Sequence, residues 1–163
     1  MIGARRAMQR GPHDIPVPEP GQWQRYGFRT GRDVRPLLDR VAADLQAAGY
    51  PDKDVFAVRL ALAEAMSNAL RHGHRGDRSK VAQLSYAING TCIVAEVQDQ
   101  GAGFDPAAVP DPCAPENLEK PGGRGLLLMH SYMNWVCHNG RGNRVTLCRV
   151  RGGEGSAANP GRN

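Results

Sequence analysis

Leu62-Ala63-Glu64-Ala65-Met66-Ser67-Asn68-Ala69-Leu70-Arg71-His72-Gly73 is the stretch on which the reading of this chain turns. It completes a helical run that opens at Pro51-Asp52 and is predicted to reach about His72, with Gly73 placed to end it. From Val55 to Leu70 the run is apolar nearly all round, through Val55, Phe56, Val58, Leu60, Leu62, Met66 and Leu70 with alanines between. Such a helix is expected to be buried on most of its surface. The polar exceptions are Arg59, Glu64, Ser67 and Asn68. Glu64 and Asn68 stand at i and i+4 and so share a face, and His72 extends the row by a turn. A carboxylate in apolar surroundings is costly unless something pairs with it. A hydrated divalent cation or an attacking hydroxyl would meet that need. The competing reading is a solvated stripe on an ordinary amphipathic helix.

Upstream, Gln22–Arg29 carries Trp23, Tyr26 and Phe28 and reads as a strand. Asp33 is placed to cap a helix with Pro36 in its first turn, an apolar stripe at Val34, Leu37, Leu38, Val41 and Leu45, and Ala47-Ala48-Gly49 at its end. Downstream, 81–88 and 91–98 alternate as strands, and Asn89-Gly90 between them signals a hairpin. Ile93, Ala95 and Val97 share one face, and Asp99 continues their parity. A short helix follows at 125–133, then a last hairpin formed by 135–138 and 144–150. The fold class that results is α+β: a two-layer sandwich of a mixed, mostly antiparallel sheet with helices on one face.

Two further clusters carry chemistry. In Asp99-Gln100-Gly101-Ala102-Gly103-Phe104 a carboxylate leaves a strand end, and the glycines let backbone approach a ligand. An ordinary turn has the same composition. In Gly122-Gly123-Arg124-Gly125, glycines open a helix whose free N–H groups and dipole suit phosphate. A flexible turn is the plainer reading.

Taken together, the order E-x-x-x-N-x-x-x-H-G, D-x-G-x-G-F, long loop, G-G-x-G-L resembles the ATP-binding (Bergerat) fold shared by gyrase, heat-shock chaperones, histidine kinases and mismatch-repair ATPases. Within that superfamily, a Glu four residues before the Asn resembles the anti-sigma-factor serine/threonine kinases. The resemblance runs from about Trp23 to Arg151. It implies a histidine-kinase-like ATPase domain at 23–151, while the polar, Pro-rich residues 1–22 read as a flexible arm and 152–163, low in apolar content, as a disordered tail. It implies ATP and Mg2+ as cofactors. Glu64 matches the general base, Asn68 the residue that supplies an oxygen to magnesium, and Asp99 the acceptor of the adenine amino group. Gly101 and Gly103 match positions that pass close to the base. Gly123, Arg124, Gly125 and Leu126 match the segment flanking the phosphates, and 105–121 match the lid.

The implied activity is phosphotransfer to a STAS-type antagonist (anti-anti-sigma) protein, with sequestration of a sigma factor as a second role. The family commonly forms homodimers. The lid carries Pro106, Pro110, Pro112, Pro115 and Pro121, which keeps open an alternative: an ATP-gated regulatory binding module without phosphotransfer. No phospho-accepting histidine helix precedes Trp23, so a sensor histidine kinase is not expected.

Composition agrees with these readings. Of the 32 Gly and Pro residues, 20 lie within 1–24, 105–125 and 152–163, leaving the rest of the chain free for regular structure. The net charge of +5 is diffuse, so direct nucleic-acid binding is not expected. No run has the length of a membrane helix, and Arg5-Arg6 lacks the apolar stretch of an export signal, so the expected setting is the cytoplasm, which the resemblance implies is bacterial. Cys92, Cys137 and Cys148 read as small core residues, and Cys113 as an exposed lid thiol. His72, His74, His130 and His138 lack metal-ligand spacing and read as surface or satisfied polar residues.

Overall fold

The alternating apolar residues of Gln24–Phe28 form the first strand, β1, at the edge of a five-stranded sheet. The computed structural model describes residues 22–105 and 124–154. After β1 come α1 (Gly31–Ala47), α2 (Asp52–Asn68) and a π-helical extension of α2 over Ala69–His74. Then follow β2 (Ala82–Ile88), β3 (Cys92–Gln98), α3 (Arg124–Tyr132), β4 (Trp135–His138) and β5 (Arg144–Val150). The strand order is β1-β2-β3-β5-β4, and all four pairs among the described residues are antiparallel. The expected mixed sheet therefore has no parallel member there. The readings placed on the arm, the lid from 106 and the end of the tail fall on 1–21, 106–123 and 155–163, outside the described residues.

One face of the sheet carries the helices. Phe28, Leu84, Tyr86, Ile93, Ala95, Val97, Val145 and Leu147 pack against Val41 and Leu45 of α1, Val58, Leu62 and Met66 of α2, and Met129 of α3. Removing those side chains from water is the main stabilising term for this layer. On the other face Cys92, Val94 and Cys148 are buried with Trp23 and Trp135 packed against them. Cys137 departs from the expectation of a core thiol: it sits on edge strand β4 and is exposed.

Several local readings are corrected by geometry. Thr30, not Asp33, holds the cap position of α1. Asp33 lies in the first turn, where its Oδ2 accepts the N–H groups of Arg29 and Thr30, both at 2.9 Å. Those bonds hold its pKa below the usual carboxylate value. Because the helix starts at Gly31, Pro36 falls in its second turn. The β2–β3 hairpin forms as expected, but Gly90 does not adopt a positive φ. Instead Asn89 Oδ1 accepts the N–H groups of Thr91 and Cys92, each at 2.8 Å, so the side chain builds the turn. Phe56 is an exception to the burial of α2: it is 58% exposed and meets Tyr132 edge-on.

A buried ion pair fastens the end of the molecule away from residues 99–104. Arg149 Nη2 lies 2.8 Å from Asp54 Oδ1, with side chains 5% and 0% exposed. Arg149 also donates to the carbonyls of Tyr132 at 2.8 Å and Gly153 at 2.7 Å, and Gly152 N–H donates to Asp54 Oδ2 at 2.6 Å. Residues 152–154, assigned to the tail from sequence, are thus tied to α2 and β5. Glu154 adds to this by accepting from Asn134 Nδ2 at 2.8 Å.

Candidate functional site

α2 runs beneath the start of α3, and this crossing assembles half of the site. Glu64 and Asn68 are half-buried on one face of α2, one turn apart. Gly125, the second residue of α3, lies directly over them. A methyl group on its Cα would stand 2.5 Å from Glu64 Oε2 and 3.8 Å from Asn68 Nδ2. A Cβ there would therefore push the end of the Glu64 side chain aside. Neither Glu64 nor Asn68 is hydrogen-bonded to another described residue. Both keep their capacity for a ligand, beside a helix N-terminus that favours negative charge.

The second half lies at the end of β3. Asp99 is half-buried, and its Oδ1 accepts the N–H of Gly101 at 2.7 Å. Its Oδ2 receives no hydrogen bond from a described residue and is open to an outside donor. The carboxylate rests against Gly73: a Cβ there would come within 2.6 Å of Oδ1 and 2.7 Å of Oδ2. Gly101 is buried against the Gly73 carbonyl. His74 Nε2 accepts the N–H of Gln100 at 3.3 Å, and Gln100 Oε1 accepts the N–H of Val81 at 2.8 Å. The Asp99–Gly101 corner is therefore seated on Gly73-His74.

That seating depends on a change of helix type. After Asn68 the helix widens into π geometry, which carries Gly73 onto Asp99, and it ends only at Arg75 in a left-handed conformation, φ 52°. Gly73 thus does not end the helix as its sequence position implied. The widening also breaks the row at Asn68: His72 is exposed and does not continue the line of Glu64 and Asn68. His74 was read as a surface or satisfied residue. It is only 3% exposed, and its Nδ1 is buried without a partner. Short-range pattern gave no signal for Gly73 or His74 as the seat of Asp99, because the π turn has no periodicity of its own in the sequence.

The other expected residues divide. Leu126 is half-buried and packs on the core at the start of α3. Arg124 is the first residue of α3, and Gly123 lies outside the described residues. Gly103, at φ +79°, is required by close packing on the Arg141 backbone of the β4–β5 turn. Ser67 is occupied, accepting from Arg71 Nη2 at 3.0 Å. His138 is half-buried, meets Phe104 edge-on at 5.3 Å, and has its pKa lowered, first by burial and then by the charge of His130. No group of three or more His, Cys, Asp or Glu among the described residues is arranged to hold a metal ion. No described helix is long and apolar enough to cross a membrane.

Residues 29–149 match the histidine kinase-like ATPase domain family. The serine-protein kinase RsbW of Bacillus licheniformis is 26% identical over 138 residues, covering 79% of this chain and 79% of that protein. The serine-protein kinase RsbW of Halalkalibacterium halodurans is 31% identical over 94 residues, covering 54% of this chain and 57% of that protein. The protein of the same name from Oceanobacillus iheyensis is 26% identical over 94 residues, covering 54% and 60%.

Proposed function

The chain belongs to the histidine kinase-like ATPase domain family, and on that footing we propose that it is an ATP- and Mg2+-dependent serine/threonine protein kinase. Its substrate is a STAS-type antagonist protein, and it also sequesters a sigma factor. The observation that carries this reading is the meeting of Glu64, Asn68 and Gly125 at the crossing of α2 and α3. This supports the reading because the Glu64 carboxylate, without a partner among the described residues, lies beside a helix N-terminus, a setting suited to a phosphate and an attacking hydroxyl. The serine-protein kinases among its relatives support the choice of a protein hydroxyl as acceptor.

The residues present fit both groups. Asp99 Oδ2, open among the described residues, accepts the adenine amino group, while Gly73 and Gly101 keep the approach free of side chains. The first N–H groups of α3 would hold the phosphates. Asn68 would offer one side-chain oxygen to magnesium, which needs few protein ligands. When bound, magnesium neutralises charge on the phosphates. Glu64 takes the proton of the substrate hydroxyl as general base. Alignment of hydroxyl and phosphate over the α2–α3 crossing supplies the remaining rate enhancement through positioning.

The test is transfer of labelled γ-phosphate to the antagonist by the parent and by Glu64→Gln. Gln keeps the shape of the side chain but is not a base near neutral pH. Transfer is expected to fall by about 10²–10⁴-fold. ATP affinity should stay within about threefold, since the role belongs to the transition state. A parent that binds ATP and partner yet never labels the antagonist would replace this reading with an ATP-gated binding module.

A further inference from the structure

We propose that Asn143 is the residue that positions Asp99 for adenine, and that it thereby sets the nucleotide's base specificity; the inference rests on the role given to Asp99 above. The β3–β5 ladder ends at the pair Gln98 and Arg144. Asp99 is the first residue beyond it, where a strand end is free to fray. It does not fray, because Asn143 extends the ladder by one step in an unusual way. Asp99 N–H donates to the Asn143 carbonyl at 2.9 Å. The return bond of a regular ladder would come from the Asn143 backbone N–H, but that group donates to Asn139 Oδ1 at 3.1 Å. The Asn143 side chain takes its place: Nδ2 donates to the Asp99 carbonyl at 3.1 Å.

The orientation of that amide is fixed by its other end. Asn143 Oδ1 accepts from Asn139 Nδ2 at 2.8 Å, so the nitrogen must face Asp99. Asn143 is 7% exposed, so water cannot readily replace the lost bond. Two glycines lock the same turn to the same loop. Gly103, at φ +79°, lies against the Arg141 backbone, and Gly142, at φ +73°, lies against the Phe104 backbone. Asp99 is thus held at its N–H and its carbonyl by one residue. Its Oδ1 is committed to Gly101, and Oδ2 is left at a defined place. A hydrogen bond to a single amino group depends on that definition, whereas phosphate contacts at α3 do not.

The experiment compares ATP with purine riboside triphosphate, which lacks the 6-amino group, by calorimetric titration. The parent is expected to prefer ATP by about 10- to 100-fold, the range of a hydrogen bond to a charged group. Asn143→Asp keeps the size and the Oδ1 acceptor but turns an oxygen toward the Asp99 carbonyl. It should reduce the preference to about threefold or less. Affinity for purine riboside triphosphate should change by less than about threefold, because only the amino contact is lost. In an Asp99→Asn background, Asn143→Asp should cost no further preference, as expected of residues acting as one unit. Asn143→Ala carries the same test should the aspartate variant not fold. Retained preference in both Asn143 variants, or equal weakening of both nucleotides, overturns the inference while leaving Asp99 as the adenine acceptor. A preference that survives Asp99→Asn alone overturns the Asp99 reading and this inference with it.

Discussion

Replacing Arg149 with methionine tests how far the fold depends on its buried ion pair. The substitution keeps much of the aliphatic length and removes the guanidinium. Three hydrogen bonds disappear, one to Asp54 Oδ1 at 2.9 Å and one each to the carbonyls of Tyr132 and Gly153, together with the 2.8 Å ion-pair contact between Nη2 and Asp54 Oδ1. Asp54, with a fully buried side chain, keeps only the N–H of Gly152. An unpaired buried carboxylate is the dominant loss, and breaking such a pair costs about 3–5 kcal/mol. Urea unfolding should report this as a lower midpoint at unchanged slope. The double variant Asp54→Asn, Arg149→Met should lose less than the sum of its singles, by about 2 kcal/mol, because the stranded charge is then gone. A loss below about 1 kcal/mol for Arg149→Met, or strict additivity in the double variant, would refute the reasoning.

Other outcomes follow from single contacts. Asn68→Ala should reduce the gain in ATP affinity that Mg2+ confers while leaving affinity without Mg2+ nearly unchanged; titrations with and without the ion check this, and an undiminished gain would remove Asn68 from the ion. Gly125→Ala would press a methyl group on Glu64 Oε2, whose flexible end can swing aside. Phosphotransfer should therefore drop more than thermal stability does, and equal loss of both would count against the α2–α3 crossing as the reacting centre. Gly142→Ala combines a positive φ of +73° with backbone contact at Phe104, so it should cost more than about 1 kcal/mol in urea unfolding. His138 has its pKa held below 6.5, so its protonation is disfavoured in the folded chain. Its contribution to stability is complete above pH 6.5 and is lost as pH falls toward the lowered value. His138→Phe should flatten that decline, and urea midpoints with the same acid slope in both proteins would contradict it.

The long elements were legible because their signals are local. Helix periodicity in 34–45, strand alternation in 93–97 and the last hairpin at 135–138 and 144–150 each follow from spacing within a few residues. The same holds for the pairing of Glu64 with Asn68, since i and i+4 must share a face wherever the α-helix persists. The parity of Asp99 with Ile93, Ala95 and Val97 was legible for a similar reason: a strand alternates until it ends.

What the sequence could not convey depends on partners distant along the chain. The approach of Gly125 to Glu64 spans two helices far apart in sequence, and the seat of Asp99 on Gly73 needs a π turn that no periodicity announces. Asp54 and Arg149, 95 residues apart, become an ion pair only when α2 and β5 are packed. Asn143 takes its meaning from a ladder that stops one residue short of Asp99. Cys137 and Phe56 carry apolar character yet lie exposed, because edge position and helix facing are decided by neighbours. The chain by itself determined which segments are helix and strand and which residues are candidates for the chemistry, because those depend on short-range backbone geometry and side-chain type. Only tertiary packing decided which of those residues meet and which are held rigid, because close approach and burial are properties of surfaces brought together from separate parts of the chain.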